Sequence, residues 1–137
     1  MQLTLDWKGG AQFSATTGSG HTLTIDGPPD IGGENLGPRP MEMILLGVAS
    51  CSAMDVVMIL NKARQPVRDI HVEITGKRAD AVPAVFTDMH LTFVVKGEGL
   101  SDKQVARAVK LSAEKYCSAS IMLQEAVNIT HEYRVEA

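Results

Sequence analysis

Cys51 and Cys117 are the only cysteines in the chain. Thiols are the side chains most open to oxidation, and two that can meet are able to cycle between dithiol and disulfide. Cys51 sits in "GVASCSAMDVVMIL", a stretch apolar or small almost all round, and Cys117 in "EKYCSASIML". Either sulfur taken alone reads first as a small core hydrophobe; together they define a candidate redox couple. Asp55, about one helical turn after Cys51, needs a polar partner or water. Glu42 reads either as a functional carboxylate or as a helix-start charge that complements the dipole. Cys117 falls just before a helix start, where unpaired backbone N–H groups favour a thiolate. Cys51, in mid-helix, needs a neighbouring charge, and Lys8, Arg39 or a residue of another subunit could supply it. His21, His71, His90 and His131 fall on expected strands and show no metal-ligand spacing with each other or with the cysteines. No metal or cofactor is therefore expected.

The elements that must position these residues follow from periodicity. Leu3, Leu5 and Trp7 alternate with Gln2, Thr4 and Asp6, which predicts a half-buried strand. "AQFSATT" and "HTLTID" continue a meander that ends at the Asp26-Gly27 turn. "GPPDIGGENLGPRP" holds neither helix nor strand and is long for a loop, a type that often carries function. Pro40 suits the first turn of the helix that follows, which should run to Lys62 or Ala63 before "RQP" stops it. Ile70, Val72 and Ile74 share one strand face, and Met89, Leu91, Phe93 and Val95 answer from a second, so a hairpin is expected. Ser101 and Gln104 form a capping box opening a helix through Tyr116, with Val105, Ala108, Val109 and Leu111 on its buried side. Another helix begins near Ser118, and "NITHEYRVEA" closes as a strand. The order βββ-α-ββ-αα-β separates strands from helices. It predicts an α+β domain over residues 1–137 with one mainly antiparallel six-stranded sheet around a long central apolar helix.

The chain has 137 residues, 45% of them hydrophobic, and a formal charge of −3. That is the size and balance of one soluble globular domain. Its basic residues are spread along the chain, so neither nucleic acid nor an anionic membrane is an expected partner. "MQLTLDWKGG" lacks a basic segment followed by an apolar run, so a cytoplasmic location is expected. Thiols there are kept reduced, which makes a transient disulfide more natural than a static one. Met43 to Leu60 is about long enough to span a bilayer, but it carries Asp55 and reads as a buried helix.

A helix apolar on all sides must be covered on all sides. A homodimer in which two such helices pack between two sheets would do so, with Gly47, Ala49, Ser50, Ser52 and Ala53 allowing close approach; a monomer wrapping its own helix is the alternative.

"RPMEMILLGVASCSAMDVV" after a Pro/Gly-rich loop, followed by two long strands and "AEKYCSASIML", resembles the OsmC/Ohr superfamily of organic hydroperoxide reductases, and within it the YhfA-like branch. The resemblance spans essentially the whole chain. It implies an OsmC-like fold and an intertwined homodimer with active sites at the interface. It also implies a peroxidatic Cys51 and a resolving Cys117, restored by a dithiol reductant that is lipoyl-linked in some members. Members supply an arginine ahead of the central helix and a glutamate early in it. Here no arginine precedes Arg39, and the glutamate position falls at Met41, with Glu42 beside it. At about 100° per residue, Glu42 and Cys51 lie on opposite faces of a straight helix. The expected activity is thiol-dependent reduction of organic hydroperoxides, an antioxidant role, by Cys51 and Cys117 with Glu42 as the candidate carboxylate. The alternatives are a small-molecule-binding or redox-sensing protein on the same scaffold and a purely structural dimer.

Overall fold

The computed structural model describes all residues, 1–137, and the chain divides into two compact units, Met1–Ile44 and Leu45–Ala137. In the first, β1 (Leu3–Gly9), β2 (Gln12–Thr17) and β3 (Thr22–Ile25) form the expected antiparallel meander. Gly9 and Gly10 turn β1 into β2 at φ 104° and 54°, values that favour glycine. His21 lies just ahead of β3 rather than on a strand, its Nδ1 paired with Ser19 Oγ at 3.0 Å. Leu3, Leu5 and Trp7 share a face as their alternation requires, yet that face is not half-buried: Leu5 is 56% and Trp7 67% exposed. Burial needs a second surface, and a three-stranded meander does not provide one by itself.

The Pro/Gly-rich segment is better ordered than its composition suggests. It holds a short 3-10 turn, Pro29–Ile31, and is tied to the buried Asp26, whose carboxylate accepts from the amides of Gly27, Glu34 and Leu36 at 2.7, 3.1 and 3.1 Å. The Gly27 amide above all, with those of Leu36 and Glu34 and the charge of Arg39, outweighs burial and holds this carboxyl below its ordinary range.

The helix α1 (Pro40–Lys62) begins at Pro40 as expected. Glu42 Oε1 accepts from the Arg39 amide at 2.9 Å, one half of a capping box. At the far end Arg64 turns left-handed at φ 57° and the Gln65 amide donates to Leu60 O at 2.9 Å. That is a Schellman stop, with Pro66 beyond it. The helix is long and apolar enough to cross a membrane by length and composition alone. It is buried only along Val48, Ser52, Val56 and Leu60, a stripe at four-residue spacing, so the expectation of a helix buried on all sides is not met within one chain. Met54, Val57 and Met58 stand exposed on another face.

In the second unit β4 (Asp69–Arg78) and β5 (Phe86–Lys96) form the expected hairpin, with Ile70, Val72 and Ile74 opposite Val95, Phe93 and Leu91. On β5, Leu91, Phe93 and Val95 are fully buried, each contributing about 1.5–3 kcal/mol to folding. Gly76 permits the close approach of Phe86 and Leu45: a Cβ there would fall 2.7 Å from the Phe86 ring and 2.9 Å from Leu45 Cδ2. The fold is α+β, but the single six-stranded sheet is corrected to two three-stranded ones, β1-β2-β3 and β4-β5-β6. The last strand, β6 (Asn128–Glu136), runs parallel to β5. The chain passes through helices between β5 and β6, and such a crossover is what a parallel neighbour requires.

That crossover is α2 (Asp102–Leu111), a π turn over Ser112–Tyr116, and α3 (Ser118–Leu123). The helix expected to run regularly through Tyr116 thus widens after Leu111. Ser101 Oγ caps the Gln104 amide at 3.3 Å, while its own amide donates to Gln65 Oε1 rather than completing the box with Gln104.

On β6, His131 stacks on Phe93 with ring centroids 6.3 Å apart, and its buried Nε2 meets no hydrogen-bond partner. Burial, and secondarily the charge of His90, lowers its pKa. The unfolded chain therefore takes up this proton at a higher pH than the native one, so stability falls as pH drops below the ordinary histidine value of about 6.5. His131→Phe is expected to flatten that slope and to raise stability at neutral pH by about 1 kcal/mol through removal of the unpaired nitrogen. Urea denaturation at a series of pH values measures both.

Candidate active site

The long stripe of α1 and the loop entering α3 meet at the two sulfurs. Cys51 is carried on α1, and Cys117 is the N-cap residue of α3, immediately after the π turn. The π turn sets this position, since the Cys117 amide donates to Ser112 O five residues back at 2.8 Å; such single-turn widenings recur at functional sites. Cys51 Sγ, Cys117 Sγ and an Asp55 carboxylate oxygen lie within 4.8 Å of one another. Both cysteines are free thiols, Cys51 half-buried and Cys117 wholly buried at 0% exposure.

Three serines complete the site. Ser52 Oγ donates to Cys117 Sγ at 3.2 Å and lies 3.4 Å from Ser120 Oγ, and the Ser120 amide donates to Cys117 Sγ at 3.4 Å. Ser112 Oγ donates to Asp55 Oδ2 at 3.1 Å and approaches Ser52 O at 3.4 Å. Ser52, Ser112 and Ser120 are all buried, so these bonds form away from competing water, where donors to a charged sulfur have most effect.

The two thiols are pushed apart in acidity. Burial raises the Cys117 pKa, but the Ser120 and Ser52 hydroxyls, the Ser120 amide and Cys51 more than reverse it, and the thiol falls below its ordinary value. For Cys51 the Ala119 amide lowers the pKa, yet burial, Cys117 and the charge of Asp55 outweigh it, and the thiol rises. The donors gathered on Cys117 Sγ and the carboxylate beside Cys51 both favour negative charge on Cys117 over Cys51. The helix-start argument for Cys117 holds, strengthened by hydroxyls that spacing along the chain could not reveal. Thiolate absorbance is expected to develop in two steps, the first at lower pH than for free cysteine. Ser52→Ala, which removes a donor worth about 1.5–3 kcal/mol to a charged acceptor, should move that first step up by about one unit or more.

Of the candidate site residues, Cys51 and Cys117 come together. Glu42 has its carboxylate on the Arg39 amide at the start of α1. Arg39 itself donates to Asn35 Oδ1. Asp55, noted for its burial, is the carboxylate that stands beside the sulfurs, and no salt bridge reaches it. It also lines an open groove of about 580 Å³, with Met58, Ile59 and Leu111 as apolar wall and Lys62 and Arg107 as basic residues.

This architecture is shared with known proteins. The family model described as OsmC-like protein matches residues 32–132. Protein YhfA of Escherichia coli strain K12 is 47% identical over 137 residues, covering 100% of this chain and 99% of its own length. A hypothetical protein from Aquifex aeolicus VF5 superposes with a TM-score of 0.83 at 34% identity, over 99% of this chain and 97% of its own. The organic hydroperoxide resistance protein OhrB of Bacillus subtilis superposes with a TM-score of 0.64 at 18% identity, over 97% and 96%, a likeness of fold. With most of its length matched by the family model and a relative of nearly half its residues spanning it end to end, the chain belongs to the OsmC-like family.

Proposed function

We propose that the protein is a thiol-dependent peroxidase that reduces organic hydroperoxides through Cys51 and Cys117. The observation that supports it is the approach of two sulfurs from distant parts of the chain to within 4.8 Å, with no disulfide between them. Cys51 is the attacking sulfur because it is the more accessible of the two. Cys117, as thiolate, accepts the Cys51 proton as peroxide arrives. The Cys51 sulfur then bonds to the terminal peroxide oxygen, the O–O bond breaks, and the departing alkoxide leaves as alcohol with the proton held at Cys117. Cys117 thiolate next attacks the Cys51 sulfenic acid, forms the S–S bond and expels hydroxide. Two electrons pass from the sulfurs to the peroxide, and a dithiol reductant returns them.

The groove beside Asp55 suits an organic substrate, since its wall carries Met58, Ile59 and Leu111, and Lys62 and Arg107 are the positive charges that line it. The reading leaves Glu42 as the cap of α1 and gives the charge near the sulfurs to Asp55. The exposed apolar faces of β1 and α1 support a homodimer as the working form, because uncovered surfaces of this kind mark association sites. The cytoplasm, where dithiol reductants are abundant, fits this chemistry.

A second reading, ligand binding or redox sensing without turnover, is favoured by the Asp55 charge that raises the Cys51 pKa and by the lack of a cation paired with Asp55. Cumene hydroperoxide separates the two. Loss of both thiols much faster than free cysteine, with alcohol released repeatedly when a dithiol is present, supports the peroxidase; thiols that react no faster than free cysteine contradict it.

A further inference from the structure

The groups around Cys51 hold more potential negative charge than peroxide chemistry needs. Two thiols and a carboxylate converge within 4.8 Å, and none of them has a cationic partner in the chain. Asp55 follows Cys51 by four residues on α1, so both project from one helix face. Cys117 enters from the separate α3 cap. We propose that in the reduced protein Cys51, Cys117 and Asp55 form a zinc site, with two sulfur ligands, one oxygen ligand and a fourth position for water.

The geometry is close to what the ion demands. Tetrahedral zinc has bonds of about 2.3 Å to sulfur and 2.0–2.2 Å to carboxylate oxygen, which places the ligand atoms roughly 3.5–3.8 Å apart. From 4.8 Å or less, each ligand has to close by about 0.5 Å, a movement within reach of small side-chain rotations. Supporting groups already stand behind two ligands: Ser52 Oγ and the Ser120 amide donate to Cys117 Sγ, and Ser112 Oγ donates to Asp55 Oδ2. Such outer contacts orient ligands and typically change metal affinity 10–100-fold. Asp55 also lines the groove, which gives the ion a path in and the fourth position a source of water. Sequence spacing could not show this site, because its third ligand comes from a remote segment.

On binding, each Zn–S bond forms as that sulfur gives up whatever proton it carries to solvent. No electron moves, and three ligand charges meet two on the ion. A Cys51–Cys117 disulfide removes both sulfur ligands, so metal and oxidant exclude one another at the same pair.

The proposal does not depend on peroxidase turnover, and its test uses no peroxide. Reduced full-length chain is dialysed against Zn²⁺ and its metal content measured, with Co²⁺ as the spectroscopic stand-in. One ion per chain is expected, with the visible bands of tetrahedral cobalt and a thiolate-to-cobalt charge-transfer band. Prior oxidation with diamide and Cys51→Ser should each abolish binding, and Asp55→Asn should weaken it at least tenfold, the scale on which metal-site contacts act. No ion retained by the reduced wild type, no charge-transfer band in it, or retention unchanged by diamide or by Asp55→Asn would each overturn the site. The wild-type spectrum needs no variant to fold. Either result leaves the peroxidase reading to its own assay.

Discussion

Cys51→Ser is expected to lower peroxide consumption with a dithiol reductant by about 10³-fold or more, the scale seen when an enzyme loses its nucleophile. Serine is nearly the size of cysteine but keeps its proton at any working pH, so the first bond to oxygen does not form. Cys117→Ser should behave differently. Its Cys51 still meets the peroxide, but without the thiolate that holds its proton and without a second sulfur to trap the sulfenic acid. A single slow turnover is therefore expected, followed by over-oxidation of Cys51 to sulfinic acid. The two variants separate an attacking from a resolving sulfur, which a symmetric loss of activity would not. Mass spectrometry of each variant after stoichiometric hydroperoxide, beside steady-state rates, makes the comparison. Equal rates in wild type and Cys51→Ser would rule out Cys51 as the nucleophile.

The second large effect concerns association. Met54 is 66% and Met58 69% exposed on α1, and Leu3, Leu5 and Trp7 are exposed on β1. In water such side chains gain about 25 cal/mol per Å² when covered. If a second copy covers α1, Met54→Glu places an unpaired charge in the interface. Breaking a buried pair, the nearest measured analogue, costs about 3–5 kcal/mol, which is a 10²–10³-fold or larger rise in the dissociation constant. Sedimentation analysis of Met54→Glu should show the single-chain mass at concentrations where the wild type shows twice that mass. Met54 makes no hydrogen bond and is exposed within its own chain, so circular dichroism of the variant should match the wild type. A wild type that sediments as a single chain would contradict the dimer.

The legible parts of this fold are those where one chain segment carries its own signal. The alternation of Ile70, Val72 and Ile74 against Leu91, Phe93 and Val95 encodes the hairpin and its cross-strand pairs. Pro40 and the "RQP" stop encode both ends of α1. Strand direction and sheet membership are not local properties: a period of two reads the same in a parallel and an antiparallel strand, so β6 beside β5 could not be oriented from its own residues. Nor could the alternation of Leu3, Leu5 and Trp7 show that no strand of the meander covers them.

At the site, residue type was enough for Cys51 and Cys117, since two thiols are conspicuous in any chain. Ser52, Ser112 and Ser120 were not recognisable as a set of donors. Ser52 read as a small residue permitting helix contact, Ser112 fell inside the helix expected to run through Tyr116, and Ser120 was indistinguishable from an ordinary helix-start serine. Their role depends on burial against sulfur and carboxylate, which only folding creates. Glu42 illustrates the opposite limit. Its position three residues after Arg39 is that of a cap, and the hydrogen bond to the Arg39 amide is what such spacing produces.

The decisive measurement is peptide mapping of the reduced chain after one equivalent of cumene hydroperoxide, under non-reducing conditions. The account predicts rapid loss of both thiols and a single cross-linked pair joining the Cys51 and Cys117 peptides of the same chain. Thiols that survive the treatment, or an oxidised Cys51 with Cys117 still free and unlinked, would contradict it.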